Sequence, residues 1–186
     1  MPSLTLTITI AGGVVLLAAL FLLKRLVRHP GGDALPQSIA QSIEQGAMTF
    51  LRSQYLVLTP VLVGIAVLLT LGLDWHSGAA FVFGGFCSIA AGYLGMRAAT
   101  KANVRTAEAA RQHGRRTALM VAFEGGSVMG FAVAGLGLLG MGSLAMLMHI
   151  GDGTSPAVLA QFGEIAASYA MGASSIALFA RIGGGI

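Results

Sequence analysis

The sequence is poor in the residue types on which most soluble catalysis depends. It has a single cysteine, Cys87, in 186 residues, so neither a disulfide framework nor a cysteine-rich metal site is available. Cys87 sits inside an apolar run with no basic neighbour to activate it, and it reads as a small hydrophobe. Acidic residues number only seven and are scattered, so the chain has no carboxylate cluster with which to hold catalytic metal ions. His76 and His149 lack the companion ligands of a metal site. Charged residues make up 10% of the chain, too few to wet the surface of a soluble domain of this length. The formal charge of +4 is no sign of nucleic-acid binding until the basic residues are located.

What the chain does have is apolar length and small residues. Hydrophobic residues are 55% of the total and 27 are glycine, without a collagen-type period. That mixture suits membrane helices, where small residues let backbones approach closely. About 20 apolar residues cross the hydrocarbon core, and five runs qualify: Leu4 to Leu26, Ser38 to Leu73, Ala79 to Ala99, Ala118 to His149 and Ala157 to Ile182. The second has an amphipathic first half. The alternating Leu-Thr-Leu-Thr-Ile-Thr-Ile near the start resembles a strand, but an open strand edge cannot sit in lipid. A secretory signal peptide does not fit either, because basic residues follow this run instead of preceding it. The expected fold is an all-α, polytopic transmembrane bundle, with residues 1–186 forming one membrane domain.

Basic residues set the orientation. Lys24, Arg25 and Arg28 follow the first run, and Arg97, Lys101, Arg105, Arg111, Arg115 and Arg116 crowd the connection between the third and fourth. The connections around Trp75 and Gly151 have no Lys or Arg. The positive-inside rule then places the N-terminus outside the cytoplasm, with five crossings. Trp75 and Tyr55 suit interfacial positions, and Pro60 predicts a bend near Thr59.

Few residues stand out chemically. In the connection from Met96 to Arg111, Glu108 is three residues from both Arg105 and Arg111, which allows ion pairs on a solvated helix extension attracted to anionic headgroups. Glu124 falls inside the fourth run and Glu164 inside the fifth, one turn from Ser168; ionisable residues there face a partner, a polar path or the interface. Gly126 and Gly130 form a small-xxx-small pair that predicts a packing seam. The chain ends in Gly172-Ala173-Ser174-Ser175-Ile176-Ala177-Leu178-Phe179-Ala180-Arg181-Ile182-Gly183-Gly184-Gly185-Ile186, one arginine followed by glycines that would admit another backbone. The abrupt end suggests that the chain is the N-terminal portion of something larger.

Four blocks carry a resemblance: Ile43-Glu44-Gln45-Gly46-Ala47-Met48-Thr49-Phe50-Leu51, Gly95-Met96 through Arg111, Ala122-Phe123 through Gly130, and Gly172 through Ile186. Together, from about residue 38 to the end, they resemble the membrane-bound, ion-translocating inorganic pyrophosphatases. Gln54 departs from that pattern, standing where the family often has a carboxylate.

The resemblance implies a homodimeric pump in the bilayer, without nucleic acid, that couples pyrophosphate hydrolysis on the cytoplasmic side to outward movement of protons or sodium ions. It implies magnesium in the full-length family, with potassium in some members, and a cell-membrane location in a bacterium. Arg181 matches the family arginine that helps form an ionic gate, and the fifth run would belong to the inner ring of helices. The family's lysine- and aspartate-rich motifs are not among these 186 residues, so no catalytic residue is expected in this chain and it should be inactive alone. The alternative is a small non-catalytic or transporter-like helical bundle that shares the packing motifs without the chemistry.

Overall fold

The computed structural model describes residues 2–151 and 154–184, with side chains for 4–151 and 154–178. Every regular element in it is helical: α1 Pro2–Arg28, α2 Ala34–Gly72, α3 Trp75–Leu147 and α4 Pro156–Gly184. From Leu4 onward α1 is long and apolar enough to cross a membrane, and so are α2 and α3.

α3 is two helices in one. At Gly114 the backbone leaves the helical region, with φ 78° and ψ −177°, a conformation open to glycine because no Cβ meets the neighbouring carbonyl. The chain reverses there. Gly95 of the first limb lies against Met129 of the second, and Ala102 against Gly125, so residues 75–113 and 115–147 form an antiparallel hairpin. The two runs read from the sequence as Ala79 to Ala99 and Ala118 to His149 are thus longer toward the turn than hydropathy indicates. Hydropathy ends a segment at the first arginines, whereas Ala, Arg, Lys, Glu and Gln are all strong helix formers and carry both limbs onward to Gly114.

α2 has 39 residues, about 58 Å at 1.5 Å per residue, roughly twice the hydrocarbon thickness. Its amphipathic first half therefore accompanies the charged part of the α3 hairpin. The helix runs unbroken through Pro60; Thr59 donates its hydroxyl to the Tyr55 carbonyl at 2.7 Å. Tyr55 lies midway along α2. It donates to the Ile89 carbonyl at 3.3 Å across the space Gly92 leaves open, tying α2 to α3. Trp75 opens α3, is 65% exposed and stacks on His76 with ring centroids 4.0 Å apart.

Backbones meet at glycines. A Cβ on Gly12 would stand 2.6 Å from the Leu139 amide nitrogen, and one on Gly135 would stand 2.8 Å from that of Leu16, so α1 and the second limb of α3 approach too closely for any side chain. α4 meets the first limb the same way, at Gly84 and Gly172, where a Cβ would overlap the Tyr169 and Phe81 carbonyls respectively. Lipid offers no hydrophobic drive for helix association, so such contacts rest on van der Waals packing at short range. Gly126 and Gly130 do not form this seam within the described residues. A Cβ on either would meet nothing within 4 Å, because the helix presents Gly125, one residue away, to Ala102 instead.

Around these crossings are two buried clusters, Leu26 with Ala102 and Val121, and Ala80 with Cys87, Ile165 and Tyr169. Cys87 is a buried free thiol. Large apolar side chains such as Leu17, Phe21, Leu71 and Phe123 point outward, each more than 60% exposed, as they would toward lipid or further protein.

Candidate functional site

Polar chemistry gathers at the end of the bundle where the sequence places its arginines and lysines. The last turn of α1 lies between the two limbs of α3. Its Arg25 pairs through Nε with Glu124 Oε1 at 3.1 Å, and His29 Nε2 lies 3.0 Å from Glu124 Oε2, so both carboxylate oxygens on the second limb are engaged. Arg105 on the first limb reaches the end of α1 as well. It donates from Nε to the His29 carbonyl at 3.1 Å, from Nη2 to the Val27 carbonyl at 3.2 Å and from Nη1 to the Lys101 carbonyl at 2.8 Å. The last carbonyls of a helix have no amide partner of their own, and a guanidinium both satisfies them and complements the negative end of the helix dipole.

Glu108 therefore does not pair with Arg105, as its spacing allowed. Arg111 pairs with it instead, in a fork of 3.1 Å from Nε and 2.7 Å from Nη2, and Gln112 donates to the same carboxylate. Arg111 also lies 3.5 Å from Asp33, just before α2. The hydrogen bonds from Arg111 hold the Glu108 carboxyl below the usual carboxylate range. Farther along the groove, Lys101 Nζ meets Glu44 Oε1 at 3.5 Å, joining two of the sequence blocks that carry the family resemblance.

Glu164 is exposed on α4, and Ser168, one turn later, is buried. Arg181 and Gly183 to Gly184 belong to the end of α4, but the Arg181 side chain and Gly185 lie outside the described residues. Among the described residues, no three His, Cys, Asp or Glu side chains gather into a set that could hold a metal ion. The acids at the basic end are each taken by a cation, so these residues do not fit a magnesium site and no chemical step is placed on them.

Glu124 was visible in the sequence, but its partners were not. Arg25 and His29 are four apart in sequence, one turn on the same helical face, which is the only local signal for a shared acceptor. That the acceptor lies 95 residues away depends on the hairpin.

At the opposite end of the bundle, Asp74 caps α3 by accepting the Ser77 amide at 2.7 Å, a bond that lowers its pKa. Asp74 Oδ2 is also 3.3 Å from His76 Nδ1.

Residues 14–186 match the family model described as inorganic H+ pyrophosphatase. The chain is 43% identical, over its whole length, to a putative K(+)-stimulated pyrophosphate-energized sodium pump of Clostridium tetani, covering 26% of that protein. It is 39% identical over its whole length to a K(+)-insensitive pyrophosphate-energized proton pump of Methanosarcina mazei, again covering 26%. A K(+)-stimulated pyrophosphate-energized sodium pump of Thermotoga maritima is 37% identical over 87% of the chain and 24% of its own length. The chain thus spans about a quarter of the length of these relatives. Its long apolar helices and the nature of these relatives make it an integral, multi-pass membrane protein. The chain belongs to the inorganic H+ pyrophosphatase family.

Proposed function

We propose that this chain supplies the N-terminal membrane helices of a pump that couples hydrolysis of inorganic pyrophosphate to outward translocation of protons or sodium ions. The observation that carries this reading is the 43% and 39% identity, over the entire chain, to pumps of that description. Those two relatives move different ions and differ in their response to potassium, so potassium belongs to the proposal only as a modulator. Magnesium would be held by carboxylates outside these residues, and a homodimer would be the working unit.

The arrangement in the bilayer is five crossings, with α1, α2, the two limbs of α3 and α4 each passing once and the N-terminus on the extracytoplasmic side. Contacts at both ends of the bundle support it. The Arg25–Glu124 pair and the Arg105 bonds to α1 bring both basic connections to one end of the bundle, as the positive-inside rule requires. Gly142 against Thr9 brings the start of α1 to the other end.

In this reading α1, α2 and the two limbs of α3 are scaffold, and α4 carries Arg181, the residue that touches transport. A fixed cation in an ion path holds a neighbouring carboxylate ionised and raises a barrier to uncontrolled cation leak. Gly183 to Gly185 would admit a second backbone at that level. Glu124, held by Arg25 and His29, serves as a structural anchor, and Glu164 remains available to a polar path or a further helix.

The test uses membranes carrying the full product of the gene. Magnesium-dependent phosphate release from pyrophosphate, together with proton or sodium uptake into inverted vesicles, is the expected result. Arg181→Ala should abolish or uncouple uptake while membrane insertion is unchanged. Absence of phosphate release above background would overturn the pump reading, and normal uptake by the variant would remove Arg181 from the mechanism.

A further inference from the structure

The groove between α2 and the first limb of α3 changes character along its length. Toward the basic end it is a polar cleft of about 500 Å³ that includes Gln37, Gln41 and Glu44 of α2 and Lys101 and Arg105 of α3. Farther along the same two helices it becomes an apolar trough of about 690 Å³, walled by Phe50 and Leu51 of α2, Met96 of the first limb of α3 and Ala173 and Ala177 of α4, and closed behind by Met129 and Gly137. The change falls between Glu44 and Phe50 on one helix and between Thr100 and Ala99 on the other, so the two cavities lie end to end.

We infer that this groove seats an anionic phospholipid of the basic-side leaflet, with its headgroup in the cleft beside Lys101 and Arg105 and an acyl chain along the trough. Charge complementarity favours that occupant. Two cations line the cleft against one carboxylate, Glu44, which faces Lys101 at 3.5 Å. The hydrogen bonds of Arg105 all go to neutral carbonyls, those of Val27, His29 and Lys101, leaving its charge without a carboxylate in hydrogen-bond contact among the described residues. α2 begins at the cleft with Ala34, next to the N-cap Asp33, whose carboxylate is paired with Arg111 at 3.5 Å. A basic cleft opening onto an apolar trough at the rim of a membrane bundle has the polarity profile of a phospholipid, and each nearby Lys or Arg strengthens attraction to an anionic headgroup. A transmembrane helix in the trough would use only the apolar half of this surface.

The experiment is photo-crosslinking combined with lipid retention. A benzophenone side chain is introduced at Gly137, where an added Cβ meets nothing within 4 Å and the side chain can enter the trough. The protein is irradiated in its native membrane, purified in mild detergent and analysed by mass spectrometry. Separately, the unmodified protein is reconstituted with phosphatidylglycerol and phosphatidylcholine of identical acyl chains, and the retained lipid is counted. Crosslinks to phospholipid, with phosphatidylglycerol retained over phosphatidylcholine by roughly fivefold or more, are expected. Lys101→Gln should reduce that preference about fivefold without changing total apolar retention. A crosslink to a protein segment would overturn the inference in favour of a helix occupant. Equal retention of the two lipids, in the parent or unchanged by Lys101→Gln, would overturn it for an anionic headgroup.

Discussion

α1 and α3 are joined in two chemically opposite ways at the two ends of one contact. Along the apolar body, Gly12 and Gly135 bring the backbones to within the space of a missing methyl group, and the polar contribution is slight, with the Thr9 hydroxyl 3.4 Å from Met146 Sδ beside Gly142. At the basic end, Arg25, His29 and Glu124 on one side and Arg105 on the other hold α1 through charge and hydrogen bonds. Each solution is useless at the other's depth. Lipid gives apolar helices no reason to associate beyond close packing, whereas in water exposed glycines would contribute little and ions remain soluble. A polytopic chain therefore changes its adhesive along each helix as its solvent changes.

The strongest way to break this comparison is to fill a glycine crossing. Gly84→Leu would drive a side chain into the Tyr169 carbonyl, a rigid backbone atom, so α4 must shift bodily off the first limb of α3. We expect a loss of about 3 kcal/mol or more, read as the unfolding midpoint in a detergent titration. Gly137→Ala, whose Cβ meets nothing, should be neutral or slightly stabilising because alanine favours helix. Equal effects from the two substitutions would mean that the crossings are not tightly packed.

Next in size is the ionic end. Glu124→Ala leaves Arg25 able to reach water, since its side chain is 56% exposed, but removes a carboxylate that is only 14% exposed. We expect a cost of about 1–2 kcal/mol at low salt. Raising the salt should shrink the difference between parent and variant, because the exposed partner is screened. In a double-mutant cycle with Arg25→Ala, a coupling near zero would show that the pair is incidental and that His29 and Arg105 hold this end of α1 without it.

The sequence made some of this legible and concealed the rest for physical reasons. The helical class and the positions of the apolar runs follow from side chains that act one at a time against lipid, so hydropathy and charge placement find them. The extent of α3 does not, because the Lys, Arg and Glu residues that end a hydrophobic run are themselves good helix formers; only Gly114, with its positive φ, breaks the backbone. Which glycines pack is harder still. Gly126 and Gly130 satisfy the small-xxx-small spacing yet face open space, whereas Gly12, Gly84 and Gly172 make the crossings. The spacing tells which residues share a face, but the face presented to a neighbour is set by the fold. The same is true of the ion pairs: Glu108 with Arg111 was readable at three-residue spacing, and Glu124 with Arg25 and His29 was not.

Acid sharpens the comparison further, since the glycine crossings carry nothing that titrates. The Glu108 carboxyl is held below its ordinary range by the Arg111 hydrogen bonds. A carboxylate whose folded pKa is depressed contributes stability above its unfolded value, and that contribution is lost as pH falls through the folded value. The protein should therefore lose stability on acidification below the ordinary carboxylate range, about pH 4. Glu108→Gln should flatten part of that acid limb while leaving neutral-pH glycine packing intact. An acid limb identical in parent and variant would show that the Glu108–Arg111 fork adds nothing to folding.

The smallest effect belongs to the opposite end, where a single cap does the work of a network. Asp74 accepts the Ser77 amide at 2.7 Å, satisfying one of the unpaired amides that open α3, and this bond is the main reason its carboxyl titrates low. Asp74→Ala should cost about 1 kcal/mol, and Asp74→Asn, which keeps an acceptor oxygen, much less. The sign with pH is the same as for Glu108: stability is present above the ordinary carboxylate value and lost as pH falls through the lower folded one. Unlike the Glu124 variants, the Asp74 variants should respond little to salt, because the bond is a short-range contact to a backbone amide and not an ion pair with a mobile cation. Strong salt sensitivity in Asp74→Ala would shift the weight to the neighbouring His76, 3.3 Å from the same carboxylate, and make this end of the bundle ionic as well.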